Sequence, residues 1–516
     1  MPILGKVIKR AIHLRRRMTF KRGAPIQYQE KVLKRLLRAA QHTSFGQRFG
    51  FEDCLHSPEL IRAFQDRVPC FDYNTIYDNW WSLSLEGTRD VCWPGLIKYF
   101  AMSSGTSGAS TKYIPVSREM LRSINRASLK LVFTMANYDL PSTVYEKEAF
   151  MLGSSTILDQ RGSHFVGDMS GISANKIPFW MNRFYKPGKK IAMTEDWNRK
   201  LSLIARSAPN WDIGVICGIP CWIQIALERI LEYNKLDHIH QIWPNLGIYV
   251  HGGISFDPYR KTFEKLFGKP VVFTETYMAS EGFFAFRTNQ DAEGMQLILN
   301  NGIFYEFVPF DETHFEPGGN LRAGAQAVSI AGVEAGRDYA LLLSTCAGAW
   351  RYMIGDTVRF TDPARKEIVI TGRIRSFLSI CGEHLSVDNM NKALQMTGDE
   401  LGVILQEFTV QGVPDGKLFG HRWYVGCDEP VDAYRLTETL DRMLMKVNLD
   451  YATERANVLK SMTVRAVPNS IFFQWLRSQG KEGDQSKFPR VLGSKMFTDW
   501  EQFVNHETAG AQTLKS

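Results

Sequence analysis

A short apolar run, Leu246–Val250, ends in His251-Gly252-Gly253 and leads into a helical stretch capped by Asp257, opened by Pro258 and closed by Gly268. A second strand-like run, Val271–Thr274, follows at once. Aspartate caps a helix start, proline suits the first helical position, and glycine is the common stop. This is a β-loop-α-β unit, with a glycine turn at the C-terminal end of its first strand. Open α/β sheets bind their ligands at that end. Upstream, residues 26–66 read helical, with Val32, Leu33, Leu36, Leu37 and Ala40 on one face and a break at Gly46. From there to residue 375, β-branched and aromatic runs alternate with helical stretches, the pattern of an α/β body. The pattern then changes to helix (388–397), strands (404–412 and 419–427), a long helix (432–447), a strand (463–467) and a helix (470–478). That is a compact α+β unit, followed by a loop at 480–490 with Gly480, Gly483, Asp484 and Ser486.

A chain of 516 residues, 44% hydrophobic and 22% charged, can bury several cores, which excludes a disordered or rod-like chain and removes any need for disulfide staples. Its eight cysteines are scattered without a C-x-x-C pair, and Cys217 and Cys221 lack a second ligand pair. A reduced, cytoplasmic setting is expected, without a structural zinc site. The net charge of +8 is local: Lys6, Lys9, Arg10, Arg15, Arg16, Arg17, Lys21 and Arg22 all precede the first acidic residue, Glu30. Those eight equal the whole excess, so the remainder is formally neutral and no nucleic-acid partner is expected. Ile3, Leu4, Val7, Ile8, Ala11 and Ile12 recur at three- and four-residue steps, a basic amphipathic helix. It either docks its apolar stripe on the body or makes weak contact with an anionic membrane surface. Charges interrupt any signal-peptide core, and the longest uncharged stretch, Ile213–Leu227, is too short to span a bilayer.

Five stretches carry chemistry. Ser103-Ser104-Gly105-Thr106-Ser107-Gly108-Ala109-Ser110-Thr111-Lys112 lies between two strand-like segments, where backbone N–H and hydroxyl groups can wrap phosphate oxygens. Its spacing is neither a Walker A loop nor G-x-G-x-x-G. Tyr277-Met278-Ala279-Ser280-Glu281-Gly282 directly follows a predicted strand. Arg351-Tyr352-Met353-Ile354-Gly355-Asp356 puts a carboxylate on a glycine turn, able to accept from the two neighbouring hydroxyls of a ribose. Gly372-Arg373 through Gly382-Glu383 marks the junction of the two patterns, and Gln485-Ser486-Lys487-Phe488-Pro489-Arg490 carries a late loop lysine. Each is ordinary alone; their order and spacing are not.

That order matches the motif series of the adenylate-forming superfamily. S-S-G-T-S-G with K-x-x-P, the A-W-R-Y-M-I-G-D run and Q-x-K-x-P-R narrow it to a resemblance to the Gretchen Hagen type acyl-acid amido synthetases, here a bacterial-type member. Phe45-Gly46 and Asn448-Leu449-Asp450-Tyr451 with Arg455 also fit, and the resemblance runs from about residue 28 to 504. It implies a large α/β domain of the luciferase and acyl-CoA synthetase type and a smaller, mobile α+β C-terminal domain. On this chain that reads as a basic helix at 1–25, an ATP- and acyl-binding domain at 26–372, a hinge at 373–382 and a small domain at 383–510.

The resemblance also implies roles. Ser103, Ser104, Gly105, Thr106 and Ser107 would hold the phosphates of ATP, with Lys112 beside them. Gly252 and Gly253 would line the adenine pocket and Tyr277 would pack on adenine, with Ser280 in the same nucleotide-binding segment. Glu281 would lie near Mg²⁺ and the phosphates. Asp356 would bind ribose, with Arg373 as a second ribose or phosphate contact, and Lys487 would steady the acyl-phosphate transition state. The implied reaction joins a carboxylic acid to an amine, an amino acid above all, through an acyl adenylate, in a monomeric enzyme. An acyl-CoA ligase using the same intermediate, or a binding protein without catalysis, are the alternatives. Two departures stand out. Met353 follows Tyr352, so an arginine role there is absent or falls to Arg351. Cys381-Gly382-Glu383 also differs from the Asp-Lys-Thr-Asn-Glu of the plant branch. Trp80-Trp81, Phe179-Trp180 and Phe283-Phe284 read as core aromatics before acyl-pocket lining.

Overall fold

A computed structural model describes residues 9, 24–103, 112–152, 158–174, 184–194, 196–253, 255–316, 319–374, 378, 385–415, 418–457, 459–480 and 488–513. The basic N-terminal helix, apart from Lys9, lies outside these residues, as do Ser104–Ser107, Phe179-Trp180, Lys487 and most of the 373–382 junction. The described residues fall into two compact units, one within 1–103, 111–253 and 266–370, the other within 254–265 and 371–516. Among the described residues no helix is long and apolar enough to cross a membrane.

In the first unit the strands are, in chain order, β1 (Tyr99–Ser103), β2 (Lys112–Val116), β3 (Glu148–Met151), β4 (Asp159–Arg161), β5 (His164–Gly167), β6 (Tyr185–Lys186), β7 (Ile213–Gly218), β8 (Ile248–Gly252), β9 (Val272–Ala279), β10 (Gly282–Phe286), β11 (Met295–Leu297), β12 (Ile303–Pro309), β13 (Asp338–Thr345), β14 (Tyr352–Asp362) and β15 (Glu367–Arg373), the last three residues of β15 counting with the second unit. Eleven of them form one sheet in the order β12-β13-β14-β15-β11-β10-β9-β8-β7-β3-β6, and a second sheet runs β2-β1-β5-β4. From β6 to β9 the neighbours pair in parallel, as the β-loop-α-β unit requires. Past β9 the pairing turns antiparallel.

The expected helical region is real but broken into Pro25–Ala40, Ser44–Arg48, Phe51–His56 and Leu60–Arg67. Its predicted apolar face is buried, and the buried Gln29 fastens the first helix to the sheet. The Gln29 amide donates to the carbonyls of Leu299 (2.7 Å) and Ile303 (3.1 Å), and its oxygen accepts from the Tyr305 N–H (2.7 Å). Every polar atom of a side chain taken out of water thus has a partner. Phe45 lies at the centre of an aromatic cluster, with ring centroids 4.5–6.0 Å from Phe49, Phe51, Phe71, Trp80 and Trp350. Trp81, Phe283 and Phe284 are buried in the same core, so these pairs are packing residues, as their composition suggests.

In the second unit β16 (Phe408–Asp415) pairs antiparallel with β17 (Leu418–Gly426), which pairs in parallel with β18 (Leu459–Val467). Helices Val387–Leu401, Ala433–Val447 and Asn469–Ser478 stand within a few residues of their expected places. Two further helices are additions. Leu449–Asn457 carries Tyr451 and Arg455, whose hydroxyl (2.6 Å) and guanidinium (2.9 Å) converge on Asp441, so the Asn-Leu-Asp-Tyr stretch serves the fold. Ser494–Thr513 buries Phe497, Trp500 and Val504, a three-and-four spacing that was present in the sequence.

Candidate active site

Gly252 ends β8 and lies opposite Thr276 of β9. A Cβ at Gly252 would come within 2.4 Å of the Thr276 carbonyl oxygen and 2.7 Å of its hydroxyl, which donates to the His251 carbonyl at 3.0 Å. Close strand packing therefore demands this glycine, and Gly253 continues the turn at φ +87°. The turn stands at the C-terminal edge of the parallel half, the edge that binds ligands in open α/β sheets.

The residue after Thr276 is Tyr277, inside β9; the strand runs to Ala279, five residues beyond the expected end. The Tyr277 hydroxyl donates to Asp356 Oδ2 at 2.6 Å. Both side chains are buried, at 4% and 7% exposure, and the Tyr277 ring meets Phe284 edge-on at 4.9 Å. Asp356 was expected on a turn between strands. It lies instead within β14, in a bulge: Ala340 of β13 pairs with Thr357 and Leu342 with Met353, so Ile354, Gly355 and Asp356 face the single residue Leu341. Gly355 takes φ +96°, open to glycine without strain. A bulge re-aims the side chains it carries. Here it matters, because β14 and β9 are four strand spacings apart, roughly 19 Å on a flat sheet. A tyrosine and an aspartate cannot reach across that distance, so the antiparallel half curls over to bring them together.

Ser280 and Glu281 form the two-residue turn between β9 and β10. Glu281 is buried at 7% exposure, two residues past the end of β9. Ser103 and Lys112 face each other as the last pair of the β1–β2 hairpin, so the Ser/Gly-rich segment joins two antiparallel strands. The Lys112 ammonium stands 5.2 Å from the centroid of the Tyr73 ring, and the Tyr113 N–H donates to the Tyr73 oxygen at 2.8 Å. Burial pushes the Tyr73 hydroxyl up to about 12, keeping it protonated. Sequence reasoning missed Tyr73; its only signal was its place in an aromatic run with Tyr77, which stacks on it at 5.4 Å. Arg373 is the exposed last residue of β15. The structure thus sets Gly252 opposite Thr276, the neighbour of Tyr277, and bonds Tyr277 to Asp356, while the Lys112 ammonium stands over the Tyr73 ring.

The arginine question is answered by geometry. Arg351 is buried, and its guanidinium pairs with Glu306 at 3.1 Å and donates to the carbonyls of Gln65 (3.0 Å) and Val68 (2.6 Å). Those bonds tie the end of the helix Leu60–Arg67 to β12 and to the residue that precedes β14. In the second unit, Arg490 of the Gln-x-Lys-x-Pro-Arg run pairs with Glu407, which also accepts from the Tyr259 hydroxyl. Burial pushes the Glu407 carboxyl up, and the Arg490 charge opposes it.

Comparison with solved structures places the fold. An acyl acid amido synthetase, AtGH3.15, in complex with 2,4-DB superposes with a TM-score of 0.76 at 16% identity, covering 95% of this chain and 97% of that one. A 2-hydroxyisobutyryl-CoA ligase in its postadenylation state gives 0.57 at 16% identity, covering 93% and 91%. The molecule has the fold of the adenylate-forming enzymes. Family models then narrow the class: the GH3 family N-terminal domain matches residues 15–208 and 126–272, the central domain 296–370, and the C-terminal domain 388–496. The chain belongs to the GH3 family. Among relatives, indole-3-acetic acid-amido synthetase GH3.4 of Arabidopsis thaliana is 25% identical over 91% of this chain and 89% of its own length. A probable indole-3-acetic acid-amido synthetase, GH3.6 of Oryza sativa subsp. japonica, is 33% identical over 28% of this chain and 30% of its own length. Jasmonoyl–L-amino acid synthetase JAR6 of Nicotiana attenuata is 21% identical over 64% and 66%.

Proposed function

We propose that this protein is an ATP-dependent acyl-acid amido synthetase, acting as a monomer in the reducing cytoplasm. A carboxylate is a poor electrophile. Its oxygen attacks the α-phosphorus of ATP, a P–O bond forms, and the bond to the β-phosphate breaks to release pyrophosphate. An amine, an amino acid above all, then attacks the acyl carbon of the adenylate, AMP leaves, and the surplus amine proton passes to solvent. The observation that carries this reading is the Gly252–Tyr277–Asp356 arrangement at the ligand-binding edge, in a chain whose GH3 family matches run from residue 15 to 496.

In this reading Asp356 accepts from the ribose hydroxyls, Gly252-Gly253 and the Tyr277 segment border the base, and Ser103–Ser107 with Lys112 contact the phosphates. Arg373 makes a second ribose or phosphate contact, and the loop donors with Lys487 offset charge that develops on the phosphate oxygens, favouring the transition state over the ground state. Mg²⁺ fits the donor chemistry: it takes one or two carboxylates together with substrate phosphates, and Glu281 offers one beside this edge. When bound, the ion neutralises phosphate charge. A thioester product is the second reading, favoured by the CoA-ligase neighbour at its lower TM-score. The test is ATP-dependent pyrophosphate release across panels of carboxylic acids, with product mass determined after adding amino acids or CoA. Amide with an amino acid and no thioester is the expected result; thioester alone would replace the assignment, and no pyrophosphate with any acid would remove it.

A further inference from the structure

Tyr277 is expected from the family resemblance to serve the base through its ring, but the ring is almost wholly enclosed. With 4% of the residue exposed and Phe284 edge-on against it, neither face of Tyr277 is open as a platform. Its polar end is engaged instead: the hydroxyl donates at 2.6 Å to Oδ2 of Asp356. Two irregularities flank this bond. One is the bulge that sets Asp356 opposite Leu341; the other lies in β10, where Phe283 pairs with Met278 and Ala285 with Tyr277, leaving Phe284 as an extra residue. Bulges re-aim side chains next to functional sites, and here one stands at each end of the same hydrogen bond.

We propose that the Tyr277 hydroxyl is a positioning group that fixes the rotation of the Asp356 carboxylate and thereby sets the preference for a ribonucleotide. This rests on the reading of Asp356 as the ribose-binding residue. A carboxylate that must accept from two neighbouring hydroxyls has to lie in one plane relative to them, and its own side-chain torsion is broad. Holding one oxygen from Tyr277 removes that freedom before the nucleotide arrives, so the cost of ordering is not charged against binding. Tyr277 then acts through Asp356 and contributes to selectivity at the sugar.

The experiment compares the parent, Tyr277→Phe and Asp356→Asn, measuring kcat and KM for ATP and for 2′-deoxy-ATP by pyrophosphate release. Phenylalanine keeps the ring and its packing and removes only the donor. In Tyr277→Phe, KM for ATP is expected to rise about tenfold, more than kcat falls, and the ATP over 2′-deoxy-ATP preference to shrink by a comparable factor, the scale of one hydrogen bond to a charged group. Unchanged preference in Tyr277→Phe, with preference lost in Asp356→Asn, overturns the inference and leaves the ribose reading standing. Full preference in Asp356→Asn overturns the ribose reading itself. A Tyr277→Phe chain that does not fold to the parental circular dichroism spectrum also counts against the inference, because the bond would then be a strut of the fold.

Discussion

Replacing Arg351 with methionine tests whether the arginine beside the Gly-Asp motif belongs to the fold or to the nucleotide. Its guanidinium is surrounded by protein: Glu306, itself 1% exposed, and the carbonyls of Gln65 and Val68. Methionine has similar length and no charge, so the volume is kept while all three partners lose their donor. Among the described residues Glu306 then keeps the Gln65 amide, at 2.9 Å. Breaking a buried ion pair from one side costs about 3–5 kcal/mol, chiefly for the charge left behind. The backbone at Arg351 has φ +42°, and methionine inherits that strain unchanged. The assay is urea unfolding followed by tryptophan emission, with Trp350 next to the altered site. Midpoints are compared at equal slope, and the double variant Arg351→Met/Glu306→Leu, which removes the stranded charge, is included. The single variant is expected to lose about 3–5 kcal/mol, and the double to recover most of it. A single variant within about 1 kcal/mol of the parent, with a raised KM for ATP, would refute the reasoning and move Arg351 into the nucleotide site.

Three further outcomes are expected. Lys487→Ala should block acyl-adenylate formation by about 10²–10³-fold while a chemically supplied acyl adenylate is still converted to amide; adenylation at the parental rate would make the lysine a surface residue. Arg490→Met removes the charge that opposes burial at Glu407, driving that carboxyl higher in the folded chain. A raised carboxyl pKa contributes stability that is present below the unfolded value and lost as pH rises through the folded one. The variant should therefore lose more stability at pH 8 than at pH 5, and an equal loss at both would contradict this. Deleting residues 1–24 should leave pyrophosphate release intact, and a folded but inactive truncation would place that segment in the active body.

Periodicity carried much of the fold because burial and geometry repeat along the chain. The apolar face of residues 32–40 and the parallel pairing of β8 with β9 follow from local spacing alone. What was not legible depends on contacts distant in sequence. Gly355-Asp356 reads as a turn because glycine before aspartate usually marks one, and only the pairing of β13 with β14 reveals a bulge. The Tyr277–Asp356 bond spans 79 positions and requires a curled sheet that no window of residues encodes. Arg351 looked like a candidate ligand group because its sequence neighbours are a motif, whereas its partners sit 45 and nearly 290 residues upstream. The final helix was a different kind of omission: Phe497, Trp500 and Val504 carried the helical spacing openly.

Tyr259 gives up its hydroxyl hydrogen bond to Glu407, 148 residues further along the chain. The segment 254–265 lies in sequence amid the strands of the first unit, yet packs with residues 371–516. On a ribosome adding 5–20 residues per second, Glu407 follows Tyr259 by roughly 7–30 s. During that interval the strands on both sides of the segment are already available to pair, while the segment itself has nothing to bury against. The second unit is therefore not a contiguous C-terminal tail, and the helix Arg260–Leu266, with the buried Phe263, is synthesised well before most of the residues it groups with.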